Sequence, residues 1–129
     1  MGWMAVSPRK LNGSLPAQPS KSAAHRALCC AALADGVSTL EGIALSDDVR
    51  ATYQGLLSLG LAHAQADKNT ITMRGGLTPF DKERSVDCNE SGSTLRFLLP
   101  LALLFGGGAV FTGRGRLLRR PLDLSLIHI

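Results

Sequence analysis

At 129 residues, with fourteen basic against ten acidic side chains and a formal net charge of +4, the chain has room for one domain with a packed core. Only 5% of the residues are aromatic, and no recognised nucleic-acid module is present, so the basic surplus points to small anions as partners rather than to nucleic acid or an anionic membrane. Cys29 and Cys30 are adjacent and Cys88 stands alone, an odd count without metal-ligand spacing, which predicts reduced thiols and no metal site. The N-terminus has no basic region followed by an apolar core, and Val6 stands where a myristoylation signal needs Ser or Thr. The longest apolar run, Phe97 to Val110, is broken by Pro100 and three glycines and is too short for a bilayer, so a cytoplasmic protein is expected.

Trp3 to Leu11 reads as a first strand, with Pro8 placing it at an edge, and Asn12-Gly13 as a turn. Leu15 to Pro19 reads as an extended connector leading to a helix over Ser20–Ala34, capped by Ser20 or Ser22 and stopped at Asp35-Gly36. The absence of charge from Ala27 to Ala34 predicts burial of the rest of that helix. Val37–Ala44 follows as a strand. Ser46-Asp47-Asp48 then caps a second helix with Val49, Tyr53, Leu56, Leu57 and Gly60 on one face and Asp47, Arg50 and Gln54 on the other.

Leu61–Ala66 and Thr70–Arg74 alternate around Asp67-Lys68-Asn69 and predict a β-hairpin. A polar loop leads to a short strand at Val86–Cys88, then to a third, apolar helix from Ser91-Gly92-Ser93-Thr94 to Phe105. Gly106-Gly107-Gly108 ends it, and Ala109–Thr112 is a strand. An offset of 71 places Ser22 on Ser93, Leu28 on Leu99, Gly36 on Gly107 and Gly42 on Gly113, which predicts one supersecondary unit used twice. A third copy is signalled by Pro121, a favoured first helical residue, after the four arginines of Arg114–Arg120.

Three clusters are suited to anions. Lys21, Ser22 and Arg26 stand at the positive end of the first helix, Arg26 one turn after Ser22. Ser91-Gly92-Ser93 opens the equivalent helix, where Gly92, lacking a Cβ, lets a carboxylate or phosphate reach the backbone N–H groups. Arg96 lies in its first turn, positioned either for the anion or for an acid such as Asp48 or Glu90. Arg120 reads as a bidentate clamp, Arg114 and Arg119 as solvated loop charge. His25, beside Arg26, is placed at the lining of the site, while His63 and His128 read as structural or incidental. No catalytic triad, Walker loop or dinucleotide glycine pattern is present, so the residues by themselves describe an anion-binding α/β protein made of repeats.

The run P-S-K-S-A-A-H-R-A-L, then S-D-D-V-R, then E-S-G-S-T-L-R-F-L and last R-R-P-L resembles, in order, the opening part of the 5-enolpyruvylshikimate-3-phosphate (EPSP) synthase family over nearly all of Met4 to Asp123. The resemblance implies an α/β (α+β) fold of repeated βαβαββ units, incomplete here. It also implies transfer of the enolpyruvyl group of phosphoenolpyruvate to the 5-hydroxyl of shikimate 3-phosphate, with no metal or cofactor, in an enzyme that is usually monomeric. Carried over position by position, the resemblance implies that Lys21 touches both substrates, that Ser22 and Arg26 bind shikimate 3-phosphate, and that Gly92 and Arg120 bind phosphoenolpyruvate. It also implies supporting places behind these contacts for Asp48, Ser93 and Arg96, with Asp48 steering Lys21.

The implied organisation is a strand and hinge over residues 1–18 belonging to a far domain, a partial substrate domain over 19–123, and a truncated or non-native tail over 124–129. The family's general base lies downstream, so the chain alone is expected to be inactive. The UDP-N-acetylglucosamine enolpyruvyl transferases are a neighbouring alternative, but their opening motif lacks this Ser-Lys-Ser-to-Arg spacing. A basic nucleic-acid binding module built on Arg114–Arg120 is the alternative of another class.

Overall fold

The computed structural model describes residues 2–60, 63–76 and 79–122, so Leu61, where the hairpin was expected to begin, and the tail with His128 lie outside the described residues. Residues 2–20 are exposed throughout and form neither helix nor strand. The strand expected over Trp3–Leu11 is therefore absent. A strand needs a neighbour's hydrogen bonds and an apolar face to cover, and Trp3, Met4, Val6 and Leu11 find neither among the described residues.

Helix α1 (Lys21–Leu33) starts where Ser20 Oγ accepts from Ala23 N at 3.3 Å. Its stripe of Ala24, His25, Leu28, Ala31 and Ala32 is buried, while Cys30 and Leu33 are exposed, so the uncharged second half is covered on one side only. Gly36, at φ +103°, turns the chain into β1 (Gly36–Glu41). Helix α2 (Asp47–Ser58) has Ser46 at its N-cap position, but the Ser46 side chain makes no capping bond. Strands β2 (His63–Asp67) and β3 (Thr70–Gly75) form the hairpin, turning where Lys68 adopts φ +31°. The sheet order is β1-β3-β2, antiparallel throughout, with Leu40 opposite Ile71 and Ala66 opposite Ile71 on the other edge.

The second unit comprises β4 (Arg84–Asp87), α3 (Gly92–Phe105) and β5 (Ala109–Thr112), and β4 pairs with β5 in parallel, Val86 opposite Phe111. Parallel pairing requires a crossover, which α3 supplies. The cap residues Ser20 and Ser91 are 71 apart as expected, but the buried stripes match at 70: Ala24, Leu28 and Ala32 correspond to Thr94, Leu98 and Ala102. Leu98, not Leu99, thus takes the place of Leu28. One residue is about 100° of helix rotation, so the two helices turn different faces inward relative to their caps.

Helix α2 lies between α1 and α3 and backs onto β4. It buries Val49, Ala51, Thr52, Gly55 and Leu56, a wider surface than its amphipathic pattern implies, and Tyr53 is half-buried with its hydroxyl donating to Ala64 O at 3.1 Å. A Cβ at Gly55 would collide with Leu98 and stand 3.0 Å from Val86 Cγ1, so glycine permits the α2–α3 approach. Leu28, Leu56, Leu98, Val86, Ile71 and Met73 form the continuous core. Among the described residues no helix is long and apolar enough to cross a membrane.

Candidate functional site

The loop between β4 and α3 is built from short-range bonds that aim the start of α3. Asp87 Oδ1 accepts from Asn89 N at 2.8 Å, Asn89 sits in the left-handed region at φ +50°, and Ser91 N donates to Cys88 O at 2.9 Å. Ser91 Oγ then accepts from Thr94 N at 3.1 Å as the N-cap, leaving Gly92 as the first helical residue. The Asn89 N–H first and Arg114 second hold the Asp87 carboxyl below the usual carboxylate range. Arg114 Nη2 meets Asp87 Oδ2 at 3.0 Å, so this arginine ties the following loop to β4 while remaining exposed.

That loop arches over α3. Glu90 Oε1 accepts from Arg116 N at 3.1 Å, and any Cβ at Gly115, itself at φ +56°, would run into the Glu90 carboxylate. Thus anchored, a short 3-10 turn (Leu117–Arg119) drops Leu117 into the core and brings Arg120 above Gly92. A Cβ on Gly92 would stand 2.9 Å from Arg120 Nη1 and 3.1 Å from Arg96 Nη1. Arg96 Nη2 also donates to Pro121 O at 3.2 Å. Among the described residues the Arg120 guanidinium has no carboxylate partner.

The result is an open cleft of about 320 Å³ lined by Asp48, Glu90, Ser91, Gly92, Ser93, Arg96, Arg116 and Arg120. Two guanidinium groups meeting at a helix N-terminus favour an anion there, by charge and by unpaired backbone N–H groups. Asp48 joins the two halves of the site: it lines the cleft, and its Oδ2 pairs with Lys21 Nζ at 3.3 Å. Both partners are substantially exposed, so the pair orients Lys21 more than it stabilises the fold. Ser22 and Arg26 lie exposed on α1 and do not line this cleft.

His25 is the residue whose expected position the structure corrects. Instead of lining the site it is 3% exposed, turned inward, with Nδ1 2.7 Å from Thr52 Oγ1. Thr52 in turn meets Thr94 at 2.7 Å, and both threonines are fully buried. These partners were overlooked in the sequence, although Thr52 and Thr94 fall at helical spacing with apolar Val49, Leu56, Leu98 and Ala102 and so mark inward-facing polar positions. Burial lowers the His25 pKa from 6.5, with Asp48 opposing and Lys21 assisting, so the ring is neutral at pH 7. All three cysteines are free thiols, and burial raises Cys29 and Cys88 to about 11, leaving both protonated and poorly nucleophilic.

The sequence profile of EPSP synthase (3-phosphoshikimate 1-carboxyvinyltransferase) matches residues 6–127, almost the whole chain. The chain belongs to the EPSP synthase family. Among its relatives is the 3-phosphoshikimate 1-carboxyvinyltransferase of Clostridium beijerinckii, 47% identical over 130 aligned residues that cover 95% of this chain and 30% of the relative. The Clostridium kluyveri enzyme of the same name is 42% identical over 96% of this chain and 29% of its own length. The protein of that name from Clostridium botulinum strain Alaska E43 is 44% identical over 95% and 29%. This EPSP synthase family chain therefore spans about 30% of the length of the curated relatives it matches.

Proposed function

We propose that the cleft over Gly92 is the phosphoenolpyruvate end of a two-substrate site in an enzyme that transfers an enolpyruvyl group to shikimate 3-phosphate. The observation that carries this reading is the convergence of Arg96 and Arg120 on Gly92 at the start of α3. The relatives' shared name, 3-phosphoshikimate 1-carboxyvinyltransferase, specifies the same transfer. In this reading Arg120 and the first N–H groups of α3 hold phosphoenolpyruvate, Ser22 and Arg26 hold the phosphorylated acceptor, and Lys21, steered by Asp48, reaches both. Ser93 and Arg96 support the phosphoenolpyruvate end. Residues 19–123 supply about two repeats of the substrate domain, and residues 1–18 the segment that leads to another. A cytoplasmic enzyme without cofactor completes the proposal.

These residues bind and orient; none is placed to move a proton between substrate carbon and oxygen. The 129-residue chain mixed with both substrates is therefore expected to release no phosphate above background, and to bind shikimate 3-phosphate only weakly. Enzymatic phosphate release, or micromolar affinity by calorimetry, would show that the site is complete without an opposing domain.

A further inference from the structure

Behind the cleft a row of buried polar side chains crosses all three helices. His25 Nδ1 lies 2.7 Å from Thr52 Oγ1, Thr52 Oγ1 lies 2.7 Å from Thr94 Oγ1, and Thr94 Oγ1 lies 2.7 Å from Ser91 Oγ. None of the four residues is more than 3% exposed. Each hydroxyl has one proton, so the direction of one bond determines the next.

The Thr94–Ser91 contact sets that direction, because Thr94 Oγ1 is its donor. If His25 Nδ1 carried no proton, Thr52 would donate to it and Thr94 to Thr52, leaving Thr94 no proton for Ser91. With the proton on Nδ1, His25 donates to Thr52, Thr52 to Thr94 and Thr94 to Ser91 Oγ at 2.7 Å, while the main-chain carbonyl of Asp48 lies farther from Thr94 Oγ1, at 3.3 Å. Ser91 Oγ already accepts from Thr94 N, and its own proton is left for the cleft that Ser91 lines.

We propose that His25 is a positioning residue that, through Thr52 and Thr94, turns the Ser91 hydroxyl outward as a donor to the anion held over Gly92. This rests on the reading of that cleft as the phosphoenolpyruvate end. Ser91 thereby adds a neutral donor beside two guanidinium groups, one with fixed direction. The groups facing His25 are Lys21 from its own helix, Asp48 from α2 and the Phe97 ring of α3, 6.3 Å from its centroid.

Long-range proton–nitrogen correlation spectra of the 129-residue chain read the tautomer directly. A neutral ring protonated on Nδ1 is expected; protonation on Nε2 alone overturns the proposal. Phosphoenolpyruvate titrations at millimolar concentration, followed at the Gly92 amide, test the consequence. Ser91→Ala, Thr52→Val and His25→Leu each weaken binding about tenfold, the scale of one hydrogen bond to a charged group. His25→Asn, whose side-chain amide puts an N–H near the Nδ1 position, restores affinity to within about twofold of the parent.

A merely structural His25 would lose affinity equally in the Leu and Asn variants, and that result, or undiminished binding by Ser91→Ala, refutes the relay. Arg120→Ala separates the two levels. If it weakens binding while Ser91→Ala does not, the cleft assignment stands and the relay falls. A Gly92 amide that does not respond to phosphoenolpyruvate removes both.

Discussion

Gly92 is the residue on which the cleft depends most closely, because its missing side chain leaves the space where two guanidinium groups and the α3 N-terminus meet. A methyl there stands within 3.1 Å of both arginines and displaces their mobile ends rather than the backbone. Gly92→Ala should therefore lower phosphoenolpyruvate affinity about tenfold while the thermal midpoint holds, since alanine is at least as good a helix former as glycine. Unchanged affinity in a titration would place the anion elsewhere. His25 makes a prediction of another kind. Its pKa is lowered on folding from 6.5, so the unfolded chain binds the extra proton first. Stability is fully present above 6.5 and is lost as pH falls below that value toward the folded pKa. Denaturant midpoints of the parent should fall between neutral and mildly acid pH more steeply than those of His25→Asn; parallel curves would show that His25 does not titrate on unfolding.

Among the elements, α2 does most to place the site, since it meets α1, α3 and β4 at once and carries Asp48 at its exposed end. Its closest approach is at Gly55, against Leu98 and Val86. Gly55→Val should cost about 3 kcal/mol through overpacking, read as a lower denaturant midpoint with an unchanged slope. A midpoint equal to the parent's would mean that the seam repacks freely. The arginine loop is a second positioned element. Glu90, Gly115 and Leu117 hold it down at three points, so Arg120 reaches Gly92 from a tethered turn rather than from the solvated basic stretch that a nucleic-acid module would offer.

For the whole molecule, the described residues form two small sheets and three helices with an anion cleft on one side and unshielded apolar side chains elsewhere. Leu103 and Leu104 on α3 are each 72% exposed, and residues 2–20 contribute nothing to the core. The exposed apolar surface is consistent with the proposed reading of the cleft as one half of a two-substrate site. It also agrees with the expected lack of phosphate release by the 129-residue chain.

The sequence by itself determined the helix starts, the glycine turns, the hairpin and the family. Ser20 and Ser91 act on N–H groups three residues away, and turn chemistry at Gly36 and Lys68 is equally local, so nearby residues are enough to specify them. Only the tertiary structure decided that Trp3–Leu11 forms no strand, that His25 faces inward, and that Arg96 and Arg120 converge on one glycine. Those outcomes depend on which surfaces meet. The bonds from His25 to Thr52 and from Thr52 to Thr94 span 27 and 42 residues of chain, and no periodicity within a helix records which distant face it will pack against. Helical spacing identifies Thr52 and Thr94 as inward-facing; the partner each one meets is set by how α1, α2 and α3 pack together.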